Sequence, residues 1–126
     1  MKAHKPQNVW LQRVENDLGY GMPDVYACFK CGHQVWIELK ELKRPLRSTS
    51  CPFRKGDIRL GQINWHLKAS TFRLPSVVAA RMDKDIIFLP GKLAVNAHHY
   101  SMTEIRESDW LVDWAEFWRR LEQYGN

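Results

Sequence analysis

GYGMPDVYACFKCGHQVWIELK, residues 19–40, holds two short apolar runs, Asp24 to Phe29 and Gln34 to Lys40, on either side of a turn at Lys30 to His33. Short runs rich in Val, Ile and aromatic residues, bounded by Gly and Pro, read as strands, and this spacing joins them as a hairpin. Side chains alternate faces along a strand, so Asp24, Tyr26 and Cys28 share one face while Val25, Ala27 and Phe29 share the other. On the second strand Trp36, Glu38 and Lys40 lie together. Closing the hairpin about Cys31 puts Asp24 opposite Glu38, with Lys40 one step along on the same face.

Two ionised carboxylates about 4 Å apart repel by roughly 4 kcal/mol at an effective dielectric of about 20, so such a site takes up a proton or a cation. Lys40 supplies one positive charge against two negative ones. A divalent, oxygen-seeking ion restores the balance, and Mg²⁺ is the usual choice where one or two carboxylates act beside substrate phosphates. The plainer alternative has Asp24 opening a strand after Pro23, with Glu38 and Lys40 in a solvated stripe.

Gly21-x-Pro23-Asp24, followed by Glu38-x-Lys40 at the end of the next apolar strand, resembles the signature of the PD-(D/E)xK nucleases. The form is similar to that of phage and archaeal Holliday-junction resolvase-like nucleases and of the VRR-NUC group. The likeness runs from Val9 to Leu67. Its weight rests on the ordered context: a Gly-rich approach, two strands, then a helix bearing Gln62. The resemblance implies a restriction-endonuclease-like α+β fold, a mixed sheet of about five strands flanked by helices. It implies hydrolysis of phosphodiester bonds in branched or double-stranded DNA by a homodimer. It also implies Mg²⁺, with Mn²⁺ as a substitute, held by Asp24, Glu38 and the carbonyl of Leu39. Lys40 would then orient a water or neutralise the phosphate, and Gln62 would steady either one. A third acid often completes the site in that family, from a helix before the first strand. Only eight residues precede Val9 here, which leaves Glu15 as the candidate.

The 126 residues are 44% hydrophobic, enough for the core of one ordinary domain spanning 1–126. No apolar run reaches the length of a membrane-spanning helix. The start, MKAHKPQNVW, lacks the apolar stretch of a signal peptide, so a cytoplasmic location is expected, and the resemblance implies a bacterial or phage-infected cell. Three cysteines, an odd number, argue against a disulfide framework. Cys28-x-x-Cys31 looks like half of a zinc site, with His33 and Cys51 as further ligands. A structural zinc needs four, and the hairpin's length sets Cys51 at the far end from the turn, so free thiols are the favoured reading over structural Zn²⁺.

The net charge is +5, which favours an anionic partner. Between Lys40 and Arg59 the cations gather: Lys43, Arg44, Arg47, Arg54, Lys55 and Arg59, against Glu41 and Asp57. Residues 41–56 form a long basic loop, read as a clamp on DNA phosphates or as a solvated loop. Asp57 is the expected N-cap of a helix from Ile58 to about Ser70, buried through Leu60, Ile63 and Leu67. Arg59, Gln62 and His66 run along its flank, and His66 joins the expected DNA contacts.

Val9 to Glu15 is read as a first strand, with a short helix as the alternative. Pro75 to Met82 and Asp85 to Leu89 read as another hairpin. His98 and His99 point apart and make a poor ligand pair. Ser108 to Gln123 reads as a helix capped by Ser108, whose aromatic face serves packing or a dimer contact. Two other functional classes remain open: a non-catalytic basic DNA-binding module and a zinc-stabilised interaction domain.

Overall fold

The computed structural model describes residues 4–14 and 21–125. Six strands form one sheet in sequence order: β1 (Val9–Arg13), β2 (Val25–Phe29), β3 (Gln34–Glu41), β4 (Ser76–Met82), β5 (Asp85–Pro90) and β6 (Leu111–Val112). Helices α1 (Leu60–Thr71), α2 (Met102–Glu107) and α3 (Trp114–Gln123) flank it, with a 3-10 segment at Gly91–His99. Every neighbouring pair is antiparallel except β3 and β4, which are parallel. Parallel neighbours need a crossover connection, and the basic loop plus α1 provide it. The α+β class and the mixed sheet flanked by helices stand as expected, with six strands where about five were expected.

The central hairpin has the expected register. Val25 pairs with Ile37 and Cys28 with Gln34, so Asp24 and Glu38 fall opposite each other one step beyond the last pair. The two faces of the sheet carry separate cores. Val25, Ala27, Ile37, Val77 and Ala79 pack against Phe117, Trp118 and Leu121 of α3. Val78, Ala80, Ile87 and Leu89 on the other face pack against Phe53, Ile58, Met102 and Ile105. The basic loop is therefore anchored rather than simply solvated, with Phe53 only 2% exposed. It also meets the start of α2, where Met102 N–H donates to the Ser50 carbonyl and Thr103 N–H to the Ser48 carbonyl.

Three local readings need correction. The expected long C-terminal helix is two helices with strand β6 between them; α3 starts after Asp113, whose side chain accepts the Glu116 N–H at 2.8 Å. Ser108 instead ends α2. Asp57 does not cap α1: its carboxylate accepts the Arg54 N–H at 2.7 Å and closes a turn, leaving Arg59 at the N-cap position. Finally, α1 is rotated from its expected phase, with Leu60 72% and Leu67 39% exposed while His66 and Ala69 are buried. Among the described residues no helix is long and apolar enough to cross a membrane.

Candidate active site

The carboxylate end of the central hairpin and the start of α1 meet on one face of the sheet. Asp24 opens β2, and its Oδ2 accepts the backbone N–H of Leu39 at 2.9 Å, which holds the carboxylate against β3. Glu38 alternates with Ile37 and Leu39 along β3, so it shares the face of Asp24. It is 1% exposed. Burial, then a hydrogen-bonding contact with Asp24 and the Asp24 charge, push its carboxyl up to about 9, while Lys40 and Arg59 pull the other way. The acids thus converge, and in the ion-free protein Glu38 holds a proton near neutral pH.

Lys40 follows on the same face, and its Nζ donates to Gln62 Oε1 at 3.0 Å. The same oxygen accepts the Arg59 backbone N–H at 3.0 Å, so Gln62 both caps the first turn of α1 and grips the lysine. Two donors on one oxygen leave the Gln62 amide N–H₂ and two of the three Lys40 N–H bonds for other partners. Arg59 is exposed at the mouth of this cluster.

Gly21 sets the approach of the Pro23-Asp24 segment to α1. It has φ +77°, and a Cβ there would stand 2.3 Å from both the carbonyl carbon and the oxygen of Gly61. Two backbones therefore touch where any side chain would separate them. Gly21→Ala is expected to destabilise the protein by roughly 2–4 kcal/mol, combining left-handed strain with a backbone clash. A denaturant midpoint measured against wild type checks this, and an unchanged midpoint would contradict the close approach.

His66, expected among the DNA contacts, is fully buried at 0% exposure and cannot touch DNA. Its Nδ1 lies 2.8 Å from Ser76 Oγ on β4, and Nε2 has no partner. Burial and, secondarily, the Lys40 charge lower its pKa to about 4, so it is neutral at pH 7. The rotation of α1 follows from these contacts: Gln62 reaches Lys40 and His66 reaches Ser76, turning polar side chains inward and two leucines outward.

The expected basic clamp divides. Lys43, Arg47, Arg54 and Lys55 are exposed. The Arg44 guanidinium is paired with Asp85 and, at 3.5 Å, with Asp83, so a phosphate there would compete with two carboxylates. Leu39 lies between the site's acid and lysine, with its N–H committed to Asp24. Glu15 lies outside the described residues. Among those residues no group of three or more His, Cys, Asp and Glu side chains gathers in a metal-ligand cluster, at Cys28 and Cys31 or elsewhere. The capping role of Gln62 escaped the sequence reading, because Asp57 offered a more usual helix cap.

No family model matches the sequence. No curated protein matches it either. Among solved structures the chain is similar to Hjc of Archaeoglobus fulgidus, a Holliday junction resolvase from an archaeal hyperthermophile, at 19% sequence identity and a TM-score of 0.44. That likeness covers 68% of this chain and 62% of the other, less than two thirds of its length.

Proposed function

We propose that this chain is a metal-dependent nuclease of the PD-(D/E)xK type, hydrolysing phosphodiester bonds in DNA. The observation that carries the reading is the placement of Asp24 opposite the buried Glu38 across the β2–β3 hairpin, beside a lysine gripped by Gln62. The residues fit a divalent cation. Glu38 Oε1 is buried without a hydrogen-bond partner, and hard oxygen donors are what Mg²⁺ or Mn²⁺ takes. Asp24, Glu38 and the Leu39 carbonyl would hold the ion, with Glu15 completing the set. When bound it supplies Lewis-acid chemistry, offsetting the charge that gathers on the phosphate and acidifying water.

The chain's own groups do the positioning. Lys40, fixed through Gln62, turns its remaining N–H bonds toward the attacking water or a phosphate oxygen. The Gln62 amide N–H₂ donates to the same region without any change of charge. Arg59 draws the DNA backbone to the mouth of the site, and the exposed cations of the basic loop extend that attraction. The Pro23-Asp24 and Glu38-x-Lys40 resemblance adds branched or double-stranded DNA as substrate, action as a homodimer and a cytoplasmic setting.

The test incubates wild-type protein with supercoiled plasmid and with a synthetic four-way junction, in Mg²⁺ and in EDTA. Cutting in Mg²⁺ alone is expected. Tight binding to both substrates at low salt with neither cut would make the chain a basic binding module instead. Arg59→Ala is expected to weaken DNA binding and to lower the slope of log affinity against log salt by about 1, the share of one phosphate contact. Fluorescence anisotropy across a salt series measures it, and an unaltered slope removes Arg59 from the interface.

A further inference from the structure

The face of the sheet that carries Asp24 and Glu38 continues across β2 and β1 as a row of aromatic rings. Trp10 on β1 lies 6.0 Å from Tyr26 on β2, Tyr26 lies 5.1 Å from Trp36 on β3, and Trp36 lies 5.7 Å from Trp65 on α1, centroid to centroid. Trp10 is 60% exposed and the other three are partly exposed. Tyr26 is two residues from Asp24 and Trp36 two from Glu38 on the shared face, so the row begins roughly 7 Å along the strands from the acids. A lone exposed tryptophan is ordinary on a protein surface. A contiguous row leading to a reactive centre is not, because the same sheet already buries Val, Ile and Ala on its opposite face.

We propose that this row is a stacking platform for unpaired bases, so that the substrate presents single-stranded or splayed nucleotides next to the phosphate held at Asp24 and Glu38. The proposal rests on the nuclease reading for the position of that phosphate. Ring faces accept any base, and stacking of this kind is worth roughly 5- to 150-fold in affinity per base when the aromatic side chain is removed. The surroundings suit a nucleic acid strand. On this face of β1, β2 and β3 the remaining polar strand residues include Gln12 and Gln34, and among the described residues there the acids are Asp24 and Glu38. Lys30 stands at the turn end of the hairpin, with Lys40 and Arg59 at the site end, so cations frame the row where a phosphate backbone would pass. An uninterrupted duplex keeps its bases inside the stack and cannot use the rings; a strand with unpaired bases can.

The test is run in EDTA, without cleavage, with a fluorescein-labelled single strand and with the blunt duplex of the same sequence. Quenching of intrinsic tryptophan fluorescence by the single strand is expected. Trp10→Ala should bind the single strand about tenfold less tightly and the duplex within about twofold of wild type, while Trp10→Phe, which keeps a ring, should recover most of the loss. The side chain is largely exposed, and a thermal melt of each variant confirms the fold. Equal binding of the single strand by wild type and Trp10→Ala would overturn the proposal. So would an equal loss on both substrates, or a concentration-dependent oligomer that Trp10→Ala abolishes without any change in single-strand binding, which would make the row a contact between copies. Since no bond is cut, such a failure leaves the nuclease reading standing. Failure of Mg²⁺-dependent cleavage by wild type would sink that reading instead.

Discussion

Asp24→Ala is expected to abolish cleavage of both plasmid and four-way junction, a loss of at least about 10²- to 10³-fold, the scale of removing one electrostatic group aimed at a developing charge. Binding of the same DNA in EDTA should hold or tighten slightly, because the substitution removes a negative charge from the surface proposed to receive phosphates. The structure gives the variant a clean interpretation. Asp24 is held by a single backbone donor, Leu39 N–H, and lies outside the paired register of the hairpin. Asp24→Asn keeps an oxygen for that donor and loses only the charge, so it should be as inactive as the alanine variant. Gel assays of cutting and anisotropy measurements of binding, run on the same preparations, decide the matter. An Asp24→Asn protein that cuts at the wild-type rate would remove Asp24 from the chemistry.

Glu38→Gln is expected to stabilise the metal-free protein at pH 8 while destroying its activity. Burial and the neighbouring Asp24 hold the folded-state carboxyl at about 9, against 4.5 in the ordinary case. The unfolded chain releases that proton near the lower value. Through the window between the two values the folded state binds a proton that the unfolded state has given up, so stability falls as pH rises. Below the window both states are protonated and nothing is lost. Glutamine has nearly the same shape, carries no titrating proton and can donate to Asp24. Its advantage over glutamate should therefore be near zero at pH 4 and grow toward pH 8. At about 2–6 °C per kcal/mol for a domain of this size, several degrees of Tm are expected at pH 8. Adding Mg²⁺ should raise the wild-type Tm through binding and leave the variant unmoved. A difference that does not vary with pH would show that the glutamate is not held protonated by the fold.

How much of this was legible in the sequence depended on whether local pattern and function agreed. The hairpin was readable because period-two alternation, a Cys-Gly turn and a Pro-Asp entry all specify one register, and register alone sets Asp24 across from Glu38. The phase of α1 was not readable. An amphipathic reading turns Leu60, Ile63 and Leu67 inward, yet Gln62 and His66 reach for Lys40 and Ser76 and leave two leucines facing outward. Local rules fail where function demands it, and this helix carries part of the candidate site. Strand β6 was hidden for another reason: its two residues sit in an aromatic run whose helical spacing extends through them, and only Asp113 marks where α3 begins. The burial of Phe53 and Ile58 inside a basic stretch had no periodic signal.

The single parallel pairing in the sheet also fixes an order of events as the chain folds. β1, β2 and β3 meet through short-range closures, so the acid pair forms early, whereas Lys40 finds Gln62 only after the intervening loop and helix swing across to let β4 dock beside β3. Long-range closure of that kind is slow compared with hairpin formation. A nascent chain is therefore expected to bring Asp24 and Glu38 together before Lys40 meets Gln62.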